Sequence, residues 1–259
     1  VTLDPASDTE RLVKSVERVR DLGEVFTPAE TVQAMLDLLP AEMWAPHPSP
    51  TYLEPSCGDG NFIVAILDRK LDRVADDWEA GALPAGADRE ALQFHALEAL
   101  ASVYAIDISP DNIIGGTPGH EVGARERLIN HLRRWFTETT GGRLTERSLL
   151  LRSAWWIVER NVQVANMLPT NADGSASHRE DIQLVEYEWD PEAHCVTVST
   201  TNLGSVMDAA AVEASGAMTL FGEMPPTTAW SGPPLKLHEA PVKAPVARVV
   251  HSRNGNGRR

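Results

Sequence analysis

The chain has 259 residues, 42% of them hydrophobic, and 37 acidic side chains against 23 Lys and Arg give it a formal net charge of −14. That length holds one α/β domain with appendages or two small domains, and the core can close without covalent staples. An acidic balance argues against unaided binding of duplex DNA, which depends on neutralising phosphates. Cys57 and Cys195, the only cysteines, give neither a disulfide framework nor a zinc spacing, so a cytoplasmic setting is expected.

No run of about 18 apolar residues is present, so no membrane span is expected, and the Val-Thr-Leu-Asp-Pro start does not read as a signal peptide. Residues 7–22 read as an amphipathic helix with Leu12, Val16 and Val19 on one face and Gly23 at its end. Thr27, Pro28 and Glu30 have the spacing of a capping box with proline at the first helical position, and the helix they start is expected to run over 28–39. Phe26, an aromatic just ahead of that helix, is not explained by capping. Residues 40–50 are proline-rich and are expected to form neither helix nor strand.

The most informative stretch is Leu53-Glu54-Pro55-Ser56-Cys57-Gly58-Asp59-Gly60-Asn61-Phe62. A short buried strand over 51–54, a glycine turn and a helix over 61–76 are the geometry with which an α/β sheet holds a nucleotide-like cofactor. Gly58 and Gly60 let the backbone approach a ligand, and the new helix offers free N–H groups. Glu54 and Asp59 in the same place argue for a ligand with an ammonium or sulfonium group rather than a phosphate. No Gly-Lys-Ser/Thr follows, so this is not a triphosphate loop.

A loop over 77–88 and a helix over 89–101 lead to a second buried strand that ends in Asp107. A carboxylate at that strand end can accept from both hydroxyls of a ribose. In compact dinucleotide folds the acid follows the glycines by about 20 residues; the wider gap here makes a nicotinamide fingerprint a poor match. A helix that starts after Ser109 is broken by a glycine loop over 115–120 and resumes over 121–138. Arg125, Arg127, Arg133 and Arg134 read as its solvated basic face. A helix over 146–159 precedes a third strand over 161–168. A fourth strand over 181–189 and a fifth over 194–200 are separated by so few residues that an antiparallel hairpin is expected. A helix over 205–213 follows, and residues 225–259 are expected to be a mostly disordered Pro/Gly-rich tail. The eight histidines form no metal-binding spacing, and no metal is expected.

GEVFTP, LEPSCGDGNF and YAIDISPDN, in this order and followed by NVQVANML, resemble the amino-terminal half of the N6-adenine DNA methyltransferases of restriction–modification systems and phages. The resemblance covers about residues 20–168. It implies a Rossmann-like class I methyltransferase sheet with helices on both faces, expected here over 51–224 with its C-terminal half truncated and ending in the β-hairpin, and preceded over 1–50 by helices and a cofactor-covering segment. It also implies S-adenosylmethionine (SAM) as cofactor. By the same resemblance Phe26, Thr27 and Pro28 lie against the cofactor, and Glu54, Cys57, Gly58, Asp59 and Gly60 surround its methionine part. Asp107 holds the ribose, Ile108 packs on the adenine, and Asn166 stands near the adenine amino group.

The family's Asn/Asp-Pro-Pro-Tyr/Phe acceptor motif is missing. The fourth strand ends Val185-Glu186-Tyr187-Glu188-Trp189-Asp190 instead. Glu186 could accept from an amine and Tyr187 could stack a planar substrate, so these two are the candidate catalytic residues. They also read as alternating residues of an ordinary strand. The expected activity is SAM-dependent methyl transfer, first of all to DNA adenine N6, with DNA reached through a partner protein. The alternatives are a degenerate SAM-binding module in a larger complex and a methyltransferase for a non-DNA substrate.

Overall fold

The computed structural model describes residues 27–116, 121–208 and 228–245. Phe26 and the expected helix over 7–22 lie outside them. Three short strands, β1 (Tyr52–Glu54), β2 (Val103–Asp107) and β3 (Val162–Val164), form a parallel sheet in the order β1-β2-β3. The crossovers carry helices α2 (Asn61–Glu79) and α3 (Arg89–Ala101), then α4 (Pro110–Ile113), α5 (Ala124–Thr140) and α6 (Leu149–Asn161), with α1 (Ala29–Leu36) ahead of β1. Crossovers of this length are what parallel pairing requires.

Pairing of Tyr52 with Val103 and of Ala105 with Val162 sets the two faces of the sheet. Tyr52, Glu54, Val103, Ala105, Asp107, Val162 and Val164 share one face, and Leu53, Tyr104, Ile106 and Gln163 share the other. On the first face Lys70 of α2 reaches over the Tyr52 ring, 5.0 Å from its centroid. α3 is buried on nearly every side, between α2 and α6, so it lacks the one-sided pattern of a surface helix. On the second face the Tyr104 hydroxyl donates to the Val185 carbonyl (2.5 Å) and Gln163 Nε2 to the Gln183 carbonyl (2.8 Å). A strand, not a helix, therefore meets these two residues, where helices on both faces were expected.

That strand is β4 (Gln183–Asp190). It pairs antiparallel with β5 (Cys195–Asn202), as its short turn predicts, and β5 pairs with β6 (Thr228–Gly232) in a separate sheet. The hairpin alternates as its sequence does. Val185, Val196 and Val198 are buried in the main core, with Tyr187 and Trp189 packed against it, while Glu188 is exposed.

Several local expectations change. Pro28, not Thr27, holds the cap position of α1, so no side chain caps the helix, and the Thr27 carbonyl accepts from Asn61 Nδ2 (3.1 Å). α1 stops at Leu36, as Pro40 disfavours helical backbone at Leu39. Within the proline-rich connector, Ala41–Trp44 form a 3-10 turn, fastened by Trp44 stacking on Tyr52 (5.7 Å between centroids). β1 is an edge strand among the described residues and its Leu53 is 45% exposed, so it is not buried on both faces. The third strand covers only Val162–Val164, and Asn166 lies beyond it. Residues 228–245, expected within a disordered tail, contribute β6 and a 3-10 helix, Pro234–Glu239. They are held by burial of Leu237 against the core and by hydrogen bonds from Arg160 Nε to the Val242 carbonyl (2.9 Å) and Trp156 Nε1 to the Ala240 carbonyl (3.4 Å).

Candidate cofactor site

Parallel pairing puts the carboxyl ends of β1, β2 and β3 on one edge, which is where ligands bind in open α/β sheets. The turn after β1 is shaped by left-handed backbone at Gly58 (φ 54°) and Gly60 (φ 103°). A Cβ on Gly60 would come within 3.2 Å of the Ala124 Cβ and Ile63 Cγ1 atoms, so glycine is required there by both conformation and space.

Asp107 organises this edge. Its Oδ2 accepts from the Gly58 N–H (2.9 Å), and its Oδ1 accepts from the Ser109 N–H (2.8 Å) and Asn112 Nδ2 (3.0 Å). The Cys57 N–H donates to the Ile106 carbonyl (3.0 Å), so the turn is stitched to β2 twice. The Ala165 N–H donates to the Asp107 carbonyl (3.0 Å) and brings the end of β3 alongside. Asp107 is buried (6% exposed), and its Oδ2, with one bond made, retains a lone pair.

The turn is strongly acidic. Burial pushes the Cys57 thiol far above its ordinary pKa, and the neighbouring charges of Asp107, Glu54 and Asp59 push it the same way. Glu54 accepts from the Ser56 N–H (3.1 Å). Asp59 pairs with Arg127 of α5 (2.9 Å), and Arg127 also donates to the Asp59 carbonyl (2.8 Å) and to Asn61 Oδ1 (2.9 Å). Three carboxylates around one backbone turn, against one guanidinium, leave a negative field that suits a cationic ligand group better than a phosphate.

Arg127, Ser109 and Asn112 hold the turn yet stand outside the residues assigned from sequence. Ser109 and Asn112 were traceable, as polar residues two and five positions past the strand-end acid. Arg127 was not, being 68 residues from the carbonyl it bonds. Nor is the basic helix a uniformly solvated face. Arg125 turns inward to the Val162 carbonyl (2.8 Å), Arg127 serves the turn, Arg133 pairs with Glu146, and Arg134 alone of the four is exposed.

Thr27 and Pro28 sit beside the turn through the Asn61 bond. Ile108 is 48% exposed just past Asp107. Asn166 stands on the same edge, but its side chain is spent on its own loop. It donates to Thr170 O (3.2 Å) and Asn171 Oδ1 (3.0 Å) and accepts from the Leu168 N–H (2.9 Å). Beside it a cavity of about 650 Å³ opens at the end of β3, lined by the polar side chains of Gln163, Asn166, Asn171 and Asp181 and flanked by Arg125 and His178.

Glu186 and Tyr187 are elsewhere. The Tyr187 hydroxyl donates to Asn161 Oδ1 (3.0 Å), and Asn161 Nδ2 in turn donates to the Ala101 (2.8 Å) and Val103 (3.3 Å) carbonyls. These groups mark the amino ends of β2 and β3. Glu186 and Tyr187 line a smaller cavity there with Ser49, Ser102 and Tyr104. They therefore cannot act on a ligand held by the glycine turn, and the catalytic assignment made from sequence is withdrawn. Burial raises the Tyr187 pKa well above the ordinary phenol value, as befits a packed ring rather than an acid–base group.

Among the described residues no group of three or more His, Cys, Asp or Glu could hold a metal ion, and no helix is long and apolar enough to cross a membrane. No family model matches the chain, and no curated protein or solved structure matches it.

Proposed function

We propose that this chain binds SAM along the carboxyl edge of its parallel sheet, as a cofactor-binding domain of the adenine DNA methyltransferase type. The observation that carries the reading is the Asp107 carboxylate bonded to the Gly58 N–H, which couples the glycine turn of one strand to the acid of the next. The methionine end of the cofactor lies at residues 57–60, where Glu54 and Asp59 suit its ammonium and sulfonium charges and the start of α2 suits its carboxylate. The ribose meets Asp107, and the adenine extends past Ile108 toward Asn166 and the amide-lined cavity. Neighbouring strands are about 4.8 Å apart, so turn, acid and Asn166 span roughly 10 Å, a length that an extended nucleoside covers.

The described residues supply no methyl-acceptor motif at this edge once Glu186 and Tyr187 are set aside. A SAM-binding module that works with a partner is therefore the reading best supported. Methyl transfer to adenine by the chain itself stands second, favoured by the room that the larger cavity, of about 650 Å³, leaves beside the end of β3. Calorimetry with SAM tests the first reading: saturable binding is expected, and no heat at millimolar ligand refutes it. Labelled methyl from SAM, offered with unmethylated DNA, separates the two. Labelled DNA supports the enzyme, and SAM binding without label supports the module.

A further inference from the structure

The strand end Glu186-Tyr187-Glu188-Trp189 contributes to a different place, a cavity of about 160 Å³ between α3, the starts of β1 and β2, and the hairpin. Its walls are aromatic and acidic: Tyr104, Tyr187 and Trp189 with Glu98 and Glu186. The rings are fixed from behind. Tyr187 and Trp189 stack at 6.2 Å between centroids, and Trp156 with Tyr187 (6.3 Å) and Phe94 with Trp189 (5.3 Å) make T-shaped contacts. The Tyr104 hydroxyl is held by the Val185 carbonyl.

The two carboxylates differ. Glu98 is 3% exposed and fully engaged, accepting from the Ser49 N–H (3.1 Å) and bonded to the Nδ1 atoms of His47 (2.9 Å) and His95 (3.1 Å), with the Lys70 charge nearby. Glu186 is half-buried, and its one hydrogen bond comes from the Ser199 hydroxyl at 3.4 Å. Among the described residues no Lys, Arg or His pairs with Glu186. A half-buried carboxylate that lines the same cavity as these rings, without a cation of its own, attracts positive charge by direct Coulomb attraction in a partly desolvated setting.

We propose that this cavity is a binding site for an organic cation, a primary ammonium head group on a short apolar stem. The head group neutralises Glu186 and the stem lies along Tyr187 and Trp189. Such a head group could belong to a free amine or to a lysine side chain of a partner. The site lies at the amino ends of the strands, so it stands whether or not SAM binds at the carboxyl ends.

Propylammonium is titrated into the ¹⁵N-labelled full chain, with propanol and propionate as neutral and anionic isosteres. Saturable shifts of the Trp189 indole N–H, assigned by its loss in Trp189→Phe, are expected with propylammonium alone. Glu186→Gln is expected to weaken binding by roughly tenfold, and Glu188→Gln, which removes an equal charge from the exposed neighbour, to leave it unchanged. Tighter binding of the tripeptide Gly-Lys-Gly than of propylammonium assigns the head group to a side chain, and the reverse order assigns a free amine. No saturable shift with either amine, equal shifts with propanol, or equal weakening by both Gln variants overturns the proposal. The isostere comparison is made on the unmodified chain, so it decides the matter even if Glu186→Gln does not fold.

Discussion

Asp107→Asn separates the structural and ligand roles of the carboxylate. Asp107 accepts three hydrogen bonds, from the Gly58 N–H, the Ser109 N–H and Asn112 Nδ2. Asparagine has one acceptor oxygen. If that oxygen keeps Ser109 and Asn112, the new NH₂ group faces the Gly58 N–H, and one charge-assisted bond becomes a clash of two donors. The lost bond and the stranded donor together cost about 2–4 kcal/mol. Domain stability is about 5–15 kcal/mol, so the variant remains folded and measurable. Asp107→Ala strands all three donors and is the less useful variant for that reason.

Urea unfolding gives the stability loss as a shift in midpoint at constant slope, and calorimetry with SAM gives the ligand effect. Both stability and SAM affinity are expected to fall. A stability loss below about 0.5 kcal/mol, the range of an ordinary surface change, would refute the claim that this carboxylate fastens the turn. Lost stability with unchanged SAM affinity would confirm the fastening and refute contact with the ribose.

Three further outcomes are expected. Burial lowers the Lys70 pKa from 10.5 to about 7; between those values the unfolded chain holds a proton that the folded chain does not, so Lys70 makes stability rise with pH above about 7. Lys70→Met should flatten that rise over pH 7–9 in denaturant titrations, and an unchanged slope counts against the assignment. Tyr187→Phe should lower stability by about 1 kcal/mol, the worth of its bond to Asn161, while SAM affinity and any methyl transfer stay as they were; a large loss of transfer would restore Tyr187 as a catalytic residue. Native alkylation at mildly alkaline pH, followed by peptide mass mapping, should modify the half-exposed Cys195 and spare Cys57, which is buried and whose thiol is held protonated by burial and acidic neighbours.

Some of this structure was legible in the sequence because local rules sufficed. The glycine turn, the helix it starts and the acid ending β2 follow from strand–turn–helix patterning, and Arg89–Ala101 falls on its predicted bounds because Asp88 caps it through the Ala91 N–H (2.8 Å). The hairpin was legible because a four-residue link excludes a crossover. What failed depended on distant partners. The Thr27 side chain does not cap its helix because the helix starts one residue later, with Pro28 at the cap, and the Thr27 carbonyl is tied to Asn61, 34 residues away. Residues 228–245 look like tail by composition, yet Leu237 fills a place on α6 and Arg160, 82 residues away, holds the Val242 carbonyl. Asn166 stands past β3 on the carboxyl edge, and its amide closes its own loop.

The misplacement of Glu186 and Tyr187 has a directional cause. A fourth strand that extended the sheet in parallel would deliver its last residues to the carboxyl edge, beside the glycine turn. β4 instead crosses the second face the other way. It starts at Gln183, bonded to Gln163 within β3, and by Tyr187 it has reached Asn161, ahead of β3. The same eight-residue strand therefore leaves its first residues near the larger cavity and carries its last to the opposite end of the sheet. Alternation of apolar and acidic residues is identical for both directions of travel, so the pattern that identified the strand could not say which end of it would lie at the carboxyl edge. Asp181, just ahead of β4, and Gln183, its first residue, line the larger cavity at the carboxyl edge instead.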